Sequence, residues 1–498
     1  MPNNQPRAIS ITLLIIGVII FLVMAGIPAV YTLIISTRQY SPIHGVFGSP
    51  SVGLEHYREF TGSFFFSRLF ANSLVLSLVP SILAVIIALP TAGVVGAMAR
   101  GRGRSFATVA LLLPAFIPDI VLAFLTVSIL PSQTLASAQS FRLVAILLSA
   151  IRPAAICAFV GACAAGIFKD RGRSVFFGAA IGVFVGIAVS LVRFLTTNAE
   201  LLLLLYNPLV FSTADTFDTY MFRQGMHNMQ LSHASAIWVF RTFFQMIMAA
   251  VVSVIVFFCV KAGLQDCQVE GQAGGHGVQA GLVPGIIGAL TLVVGLLLPL
   301  GYSGTDSMDL LSSAIGSSLI TTAISTVLFS ILLFMLAAGL SVNIKNAAVL
   351  ALILILVSIA NNFMGEFLSY RTMGLTNTHF AVAFANAANI AFVLPLAYLA
   401  RLRNPSATSA NKLIRSMAPY FVAFIGLFIA MAWGNSYSQM IHLSQMTLFG
   451  APMLLRATAF QFGGDVSSAG VIIAVTLPIL ALAAITTFAF TMADSVNE

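Results

Sequence analysis

ISITLLIIGVIIFLVMAGIPAVYTLII, residues Ile9–Ile35, carries no charged side chain. It is longer than the roughly 20 apolar residues a helix needs to cross the hydrocarbon core of a bilayer. With Ala8 in front it also exceeds the roughly 7–15-residue core of a secretory signal peptide, so it reads as a retained first span. The pattern recurs at Phe70–Ala99, Phe106–Leu130, Phe141–Phe168, Val175–Leu195 and Ile237–Val260. Gln265–Gly281, rich in Gly and Gln, then interrupts it like a linker. Further runs follow at Leu282–Leu300, Ile315–Leu340, Ala347–Phe363, Phe380–Leu399, Ala418–Trp433 and Ala469–Phe490. The expectation is an all-α polytopic membrane protein of about 12 transmembrane helices, arranged as two six-helix repeats. The halves would be residues 1–264 and 282–498, joined by a cytoplasmic linker at 265–281. An even number of spans per half makes the repeats parallel, with a substrate path between them.

Composition points the same way. Hydrophobic residues make up 59% of the chain and charged residues 8%, against roughly a quarter charged in soluble domains. The net charge of +8 does not signal nucleic acid, because the basic residues fall in short loops between the apolar runs. Arg100, Arg102, Arg104, Lys169, Arg171, Arg173, Lys261, Lys345, Arg401, Arg403, Lys412 and Arg415 lie on one side. Glu55, Glu59, Asp215, Asp218, Asp306, Asp309 and Asp465 lie on the other. The positive-inside rule then puts both termini and the linker in the cytoplasm of a cell-membrane protein in contact with lipid.

Enzyme chemistry finds no foothold. No phosphate-binding loop of the Gly-x-x-x-x-Gly-Lys-Ser/Thr type occurs, so the chain does not hydrolyse ATP. No catalytic triad, cofactor motif or metal-ligand spacing stands out. Cys157, Cys163, Cys259 and Cys267 form no Cys-x-x-Cys pair. His44, His56, His227, His233, His276, His379 and His442 are scattered and read as mostly solvated.

Polar residues inside the expected spans are more informative. These are Asp119 after Pro118, Arg152 before Pro153, Arg241 and Gln245 one turn apart, Asn361 and Asn362, and Asn386 and Asn389 on one helix face. An ionisable group at mid-membrane costs about 2.5–3.5 kcal/mol and so faces a partner or a water-filled cavity. They fit either a polar path for sugar hydroxyls or interhelical hydrogen bonds that lock the bundle. Trp433 and Tyr437 fit a sugar-stacking role or an interfacial aromatic belt. Arg193 and Glu366 read as snorkelling to the membrane interface.

Three stretches carry a family resemblance. Tyr40–Phe60 reads YSPIHGVFGSPSVGLEHYREF, and Leu201–Met226 reads LLLLLYNPLVFSTADTFDTYMFRQGM. In the second half stand GLTNTHFA at Gly374–Ala381 and WGNSYSQMIHL at Trp433–Leu443. Together they resemble the membrane permeases of bacterial ABC importers for oligosaccharides and polysaccharide fragments, as two permease subunits fused in tandem. The resemblance implies a carbohydrate ligand, separate ABC ATPase subunits inside and a solute-binding protein outside. Asp215, Asp218, Tyr220 and Arg223 would dock the binding protein. ATPase contact would fall to Lys169, Arg171, Arg173, Lys412 and Arg415. The chain departs from the family at the Glu-Ala-Ala loops that couple permease to ATPase. Only KDRGRS stands at Lys169–Ser174, and Arg401–Pro419 has no Glu-Ala-Ala. The alternative is an ATP-independent facilitator, or a non-transporting scaffold or sensor, on the same fold.

Overall fold

The computed structural model describes residues 5–266, 305–360, 362–404, 410–458 and 468–496. These form an all-α bundle, and no β-strand occurs among the described residues. Eight of the described helices are long and apolar enough to cross a membrane: Ala8–Ser36, Phe66–Gly96, Ala138–Asp170, Val175–Val192, Leu231–Gln265, Asp309–Asn343, Ile414–Gly434 and Gly470–Asp494. A ninth is counted if Ala347–Ile359 and Phe363–Thr372, bent by 75°, act as one span.

Two expected spans are broken rather than continuous. Phe106–Leu130 is Arg102–Ala110, a 3-10 turn at Leu113–Phe116 and a helix at Asp119–Ile129. Pro114 and Pro118 have no N–H to donate, and Pro118 is extended at φ −69°, ψ 155°. Phe380–Leu399 is likewise two helices, His379–Ala387 and Val393–Arg403, with Asn389 in the gap. The expected span Leu282–Leu300 lies outside the described residues.

Small residues set the closest packing. Phe66–Gly96 runs along Ala138–Asp170, with Ala84, Ala88 and Ala92 packed against Ala154, Ala158, Ala162 and Ala165. Val175–Val192 joins them. A Cβ on its Gly182 would stand 2.8 Å from the Gly161 Cα and the Val160 carbonyl. Helices without a hydrophobic drive to associate gain contact by this route.

Helices from both ends of the chain share one core. Ser10 on the first helix donates to the Gly339 carbonyl at 3.3 Å. Phe159 meets Phe424 and Phe490 edge-on at 5.8 and 5.6 Å. Asn362 opens Phe363–Thr372 as its N-cap, and its Nδ2 donates to Thr32 Oγ1 at 2.7 Å.

Candidate functional site

The chain breaks converge on a central cavity of about 240 Å³. The Pro118 break, the short helices Ala199–Leu205 and Phe363–Thr372, the Asn389 gap and the Gly434–Asn435 corner all contribute to its wall. Where helices end, backbone groups and capping side chains lack intrahelical partners, so polar atoms collect.

Asp119 begins its helix, where the dipole favours a carboxylate. It accepts from Arg152 Nη1 at 3.0 Å and from Asn198 Nδ2 at 2.7 Å. Arg152 Nη2 also donates, at 3.3 Å, to the Ile117 carbonyl just before the break. Asn198 in turn caps Ala199–Leu205, accepting from Leu201 N at 3.3 Å. Two residues on, Glu200 Oε1 accepts from the backbone N and Oγ of Ser436 at 2.8 and 2.6 Å. This joins distant parts of the chain at the first turn of Ser436–His442. Glu200 lies outside the helices of spanning length. Burial, then the neighbouring Asp119 carboxylate, pushes its carboxyl up to about 7.

Asp218 and Glu366 also line the cavity. Asp218 accepts from Thr197 N at 2.7 Å, from Thr197 Oγ1 at 3.1 Å, and from Arg241. Gln245, one turn beyond Arg241, donates to Thr196 Oγ1 at 2.7 Å. Arg241 and Gln245, both buried, therefore stand behind the lining and hold it. Asn386 accepts from Asn435 Nδ2 at 2.8 Å, while its own Nδ2 has no hydrogen-bond partner among the described residues. The Tyr437 hydroxyl is unpartnered in the same sense.

Asp119, Arg152, Asn386 and Asn389 thus meet in one cavity. Asn362 is buried as a helix cap and is not in the lining, and Asn361 lies outside the described residues. Trp433 is buried in the core beside the cavity rather than in its lining. Asn198, Glu200 and Asn435 were not anticipated. Glu366, expected to snorkel outward, is only 5% exposed and lines the wall, because its helix turns in at the 75° bend.

Asp215, Asp218 and Tyr220 are also turned inward. Asp215 holds Arg223 at 3.2 and 2.6 Å and accepts from Thr219 at 2.8 Å. Thr216 and Thr219 form a reciprocal capping box. Arg223 lies over the rings of Phe211 and Tyr220. The segment is tied both within itself and to its neighbours, the Asp215 carbonyl accepting from Asn72 Nδ2 at 3.0 Å and the Phe217 N–H donating to Ser73 Oγ at 2.8 Å.

At the arginine-rich end of the bundle lies a second cavity, of about 350 Å³. Arg100, Arg104, Arg171, Arg403 and Arg415 line it with Asp170 and Asp494. Arg104 grips Asp170 at 2.7 and 2.5 Å, and Arg403 meets Asp494 at 2.7 Å. Lys169 donates to the Ala97 carbonyl and, at 3.0 Å, to that of Met98. Arg171 donates to the carbonyls of Leu402 and Arg403 at 2.8 and 2.9 Å. Arg173 follows in the same turn before Val175–Val192, and Arg415 is exposed. The side chain of Lys412 lies outside the described residues.

No protein-family profile and no curated protein matches the chain. Two solved structures are similar over less than half of it. One is a bacterial ABC transporter involved in the import of the acidic polysaccharide alginate, at 21% identity and TM-score 0.36. That match covers 45% of this chain and 87% of that one. The other is a bacterial alginate ABC transporter in complex with an alginate pentasaccharide-bound periplasmic protein, at 19% identity and TM-score 0.34. It covers 44% of this chain and 85% of that one.

Proposed function

We propose that this chain is the permease component of a carbohydrate import system in a bacterial cell membrane. Residues 1–264 and 282–498 act as two permease-type halves around one pathway, with both termini in the cytoplasm. The central cavity carries the proposal. Its walls come from both stretches, with Asp119, Arg152 and Glu200 from the first and Glu366, Asn386 and Asn435 from the second. A sugar hydroxyl both donates and accepts, and so fits a wall that mixes carboxylate acceptors with the free donors Asn386 Nδ2 and Tyr437 Oη. At about 240 Å³ the cavity is below the roughly 300–1,000 Å³ of typical small-molecule sites, which suits a closed state holding little of a sugar chain. A solute-binding protein outside and ABC ATPases inside are the partners of this reading.

The turn after Asp170 favours a second reading. Arg171 is spent on the end of Val393–Arg403, which supports a pathway that works without an ATPase.

Uptake of a labelled oligosaccharide into proteoliposomes tests the proposal. Asn386→Leu is expected to lower uptake about tenfold, near the worth of one hydrogen bond, with normal yield and elution. A variant that fails to fold would favour interhelical bonding as the residue's role. Normal uptake by folded Asn386→Leu would remove the cavity from the pathway.

A further inference from the structure

The end of the bundle away from the arginine cavity holds a cluster the transport reading does not use. His56 and Glu59 lie one turn apart on Glu55–Thr61, and His233 lies in the first turn of Leu231–Asp266. His56 Nδ1 and His233 Nδ1 both approach the same carboxylate oxygen, Glu59 Oε2, at 3.5 and 3.7 Å. The three atoms lie within 4.8 Å of one another.

Both separations exceed the roughly 2.7–3.2 Å of a nitrogen–oxygen hydrogen bond. Two ligands on one tetrahedral zinc ion, each bound at about 2.0–2.2 Å, stand about 3.3–3.5 Å apart. The spacing therefore suits shared coordination better than direct pairing.

The surroundings of the His56 ring strengthen this. His56 Nε2 lies 3.2 Å from the Arg38 carbonyl, which can only accept, so that nitrogen carries the proton. With the far nitrogen held there, Nδ1 is the ring atom turned toward Glu59. It is shielded from water and has no hydrogen-bond partner among the described residues. A buried, unpartnered ring nitrogen facing a carboxylate at 3.5 Å leaves room for a shared cation. His56 is only 6% exposed, so its ring is fixed from behind. A backbone carbonyl on the far nitrogen is the usual support for a metal-ligating histidine. Glu59 is 56% exposed on its side chain, which leaves the cluster open to an ion and to a water as fourth ligand.

We propose that His56, Glu59 and His233 form a binding site for a borderline divalent transition ion, with Zn²⁺ the first candidate. Two imidazoles and one carboxylate suit zinc and its neighbours, whereas Ca²⁺ and Mg²⁺ prefer all-oxygen sites. The ion ties the Glu55–Thr61 helix to the start of Leu231–Asp266. The Tyr40 N–H, bonded to Ser232 Oγ at 2.9 Å, already makes a second link there.

The test uses the full chain in detergent, stripped with chelator and titrated with Zn²⁺ alone by calorimetry. Co²⁺ absorption reports the ligand set independently. Saturable binding of one Zn²⁺ per chain is expected, with no response to Mg²⁺. His233→Gln and Glu59→Gln should each weaken binding at least tenfold and change the Co²⁺ spectrum, whereas His44→Gln should change neither. If His56→Gln fails to fold, the other two variants still decide the matter. Absence of saturable Zn²⁺ binding, or binding that survives both His233→Gln and Glu59→Gln, would overturn the proposal.

Discussion

Asp119 shows how the cavity tolerates charge. Its two carboxylate oxygens are matched by an arginine and an amide, so each lone-pair side meets a donor. Glu200 is less well matched. Its hydrogen bonds among the described residues come from Ser436, and burial pushes its carboxyl from an ordinary 4.5 up to about 7. The folded chain then holds a proton that the unfolded chain has lost between those two values. Stability from this group therefore falls as pH rises from about 4.5 to about 7, and stays low above that. Glu200→Gln keeps an oxygen for Ser436 and removes the titration. The expected outcome is a smaller difference in thermal midpoint between pH 5 and pH 8, worth roughly 1–2 kcal/mol because Glu200 is only partly buried. An unchanged difference would show that Glu200 ionises freely. The contributors readable in advance were those that break an apolar run, such as Asp119, Arg152 and Asn386. Glu200 and Asn435 escaped because each lies just past an apolar run, where a polar residue looks like ordinary loop. Their signal was an N-cap pattern: Asn198-Ala-Glu200 before a leucine run, and Asn435 before Ser436–His442.

At the scale of elements, hydropathy located the long helices because it counts apolar length, and it missed the breaks because they change direction without changing polarity. Pro118-Asp119 reads as apolar on average, yet a proline followed by an acidic helix start marks a new helix. The gap at Asn389 left no such mark, since Phe392–Leu399 stays apolar and its proline, Pro395, lies inside the next helix. Glycine spacing was equally quiet. Gly178, Gly182 and Gly186 recur every fourth residue and face Phe168, Gly161 and Cys157. Gly182→Leu should force this contact apart at about 1–3 kcal/mol, the usual cost of overpacking. The thermal midpoint of the purified protein should drop by several degrees. Gly93→Leu is the control, because a Cβ there meets nothing within 4 Å. Equal behaviour of the two variants would argue against close packing at Gly182.

For the whole molecule, coupling to an ATPase needs a rigid contact that carries a change of nucleotide state into the bundle. The turn between Ala138–Asp170 and Val175–Val192 leaves Arg171–Ser174 alone to bridge two helix ends. Four residues make about one helical turn at 3.6 residues per turn, too little to enter a cleft on a partner. Arg171 also holds the last carbonyls of Val393–Arg403, and Lys169 those of Ala97 and Met98, so the turn is pinned to its own chain. A further helix, Ala410–Gly434, follows in the second half. Any ATPase contact there would be one-sided, and the coupling asymmetric. On the ATPase-independent reading, purification from the native membrane is expected to yield the chain without a stoichiometric ATPase pair. Adding it to a candidate ATPase should leave hydrolysis unchanged within about twofold, a difference of under 0.5 kcal/mol in barrier. Arg171→Ala frees the turn, and should change thermal stability rather than hydrolysis. Two ATPase subunits that stay bound through purification, with hydrolysis raised by this chain, would show that another segment has taken over the coupling, and the pathway would then be ATP-driven after all.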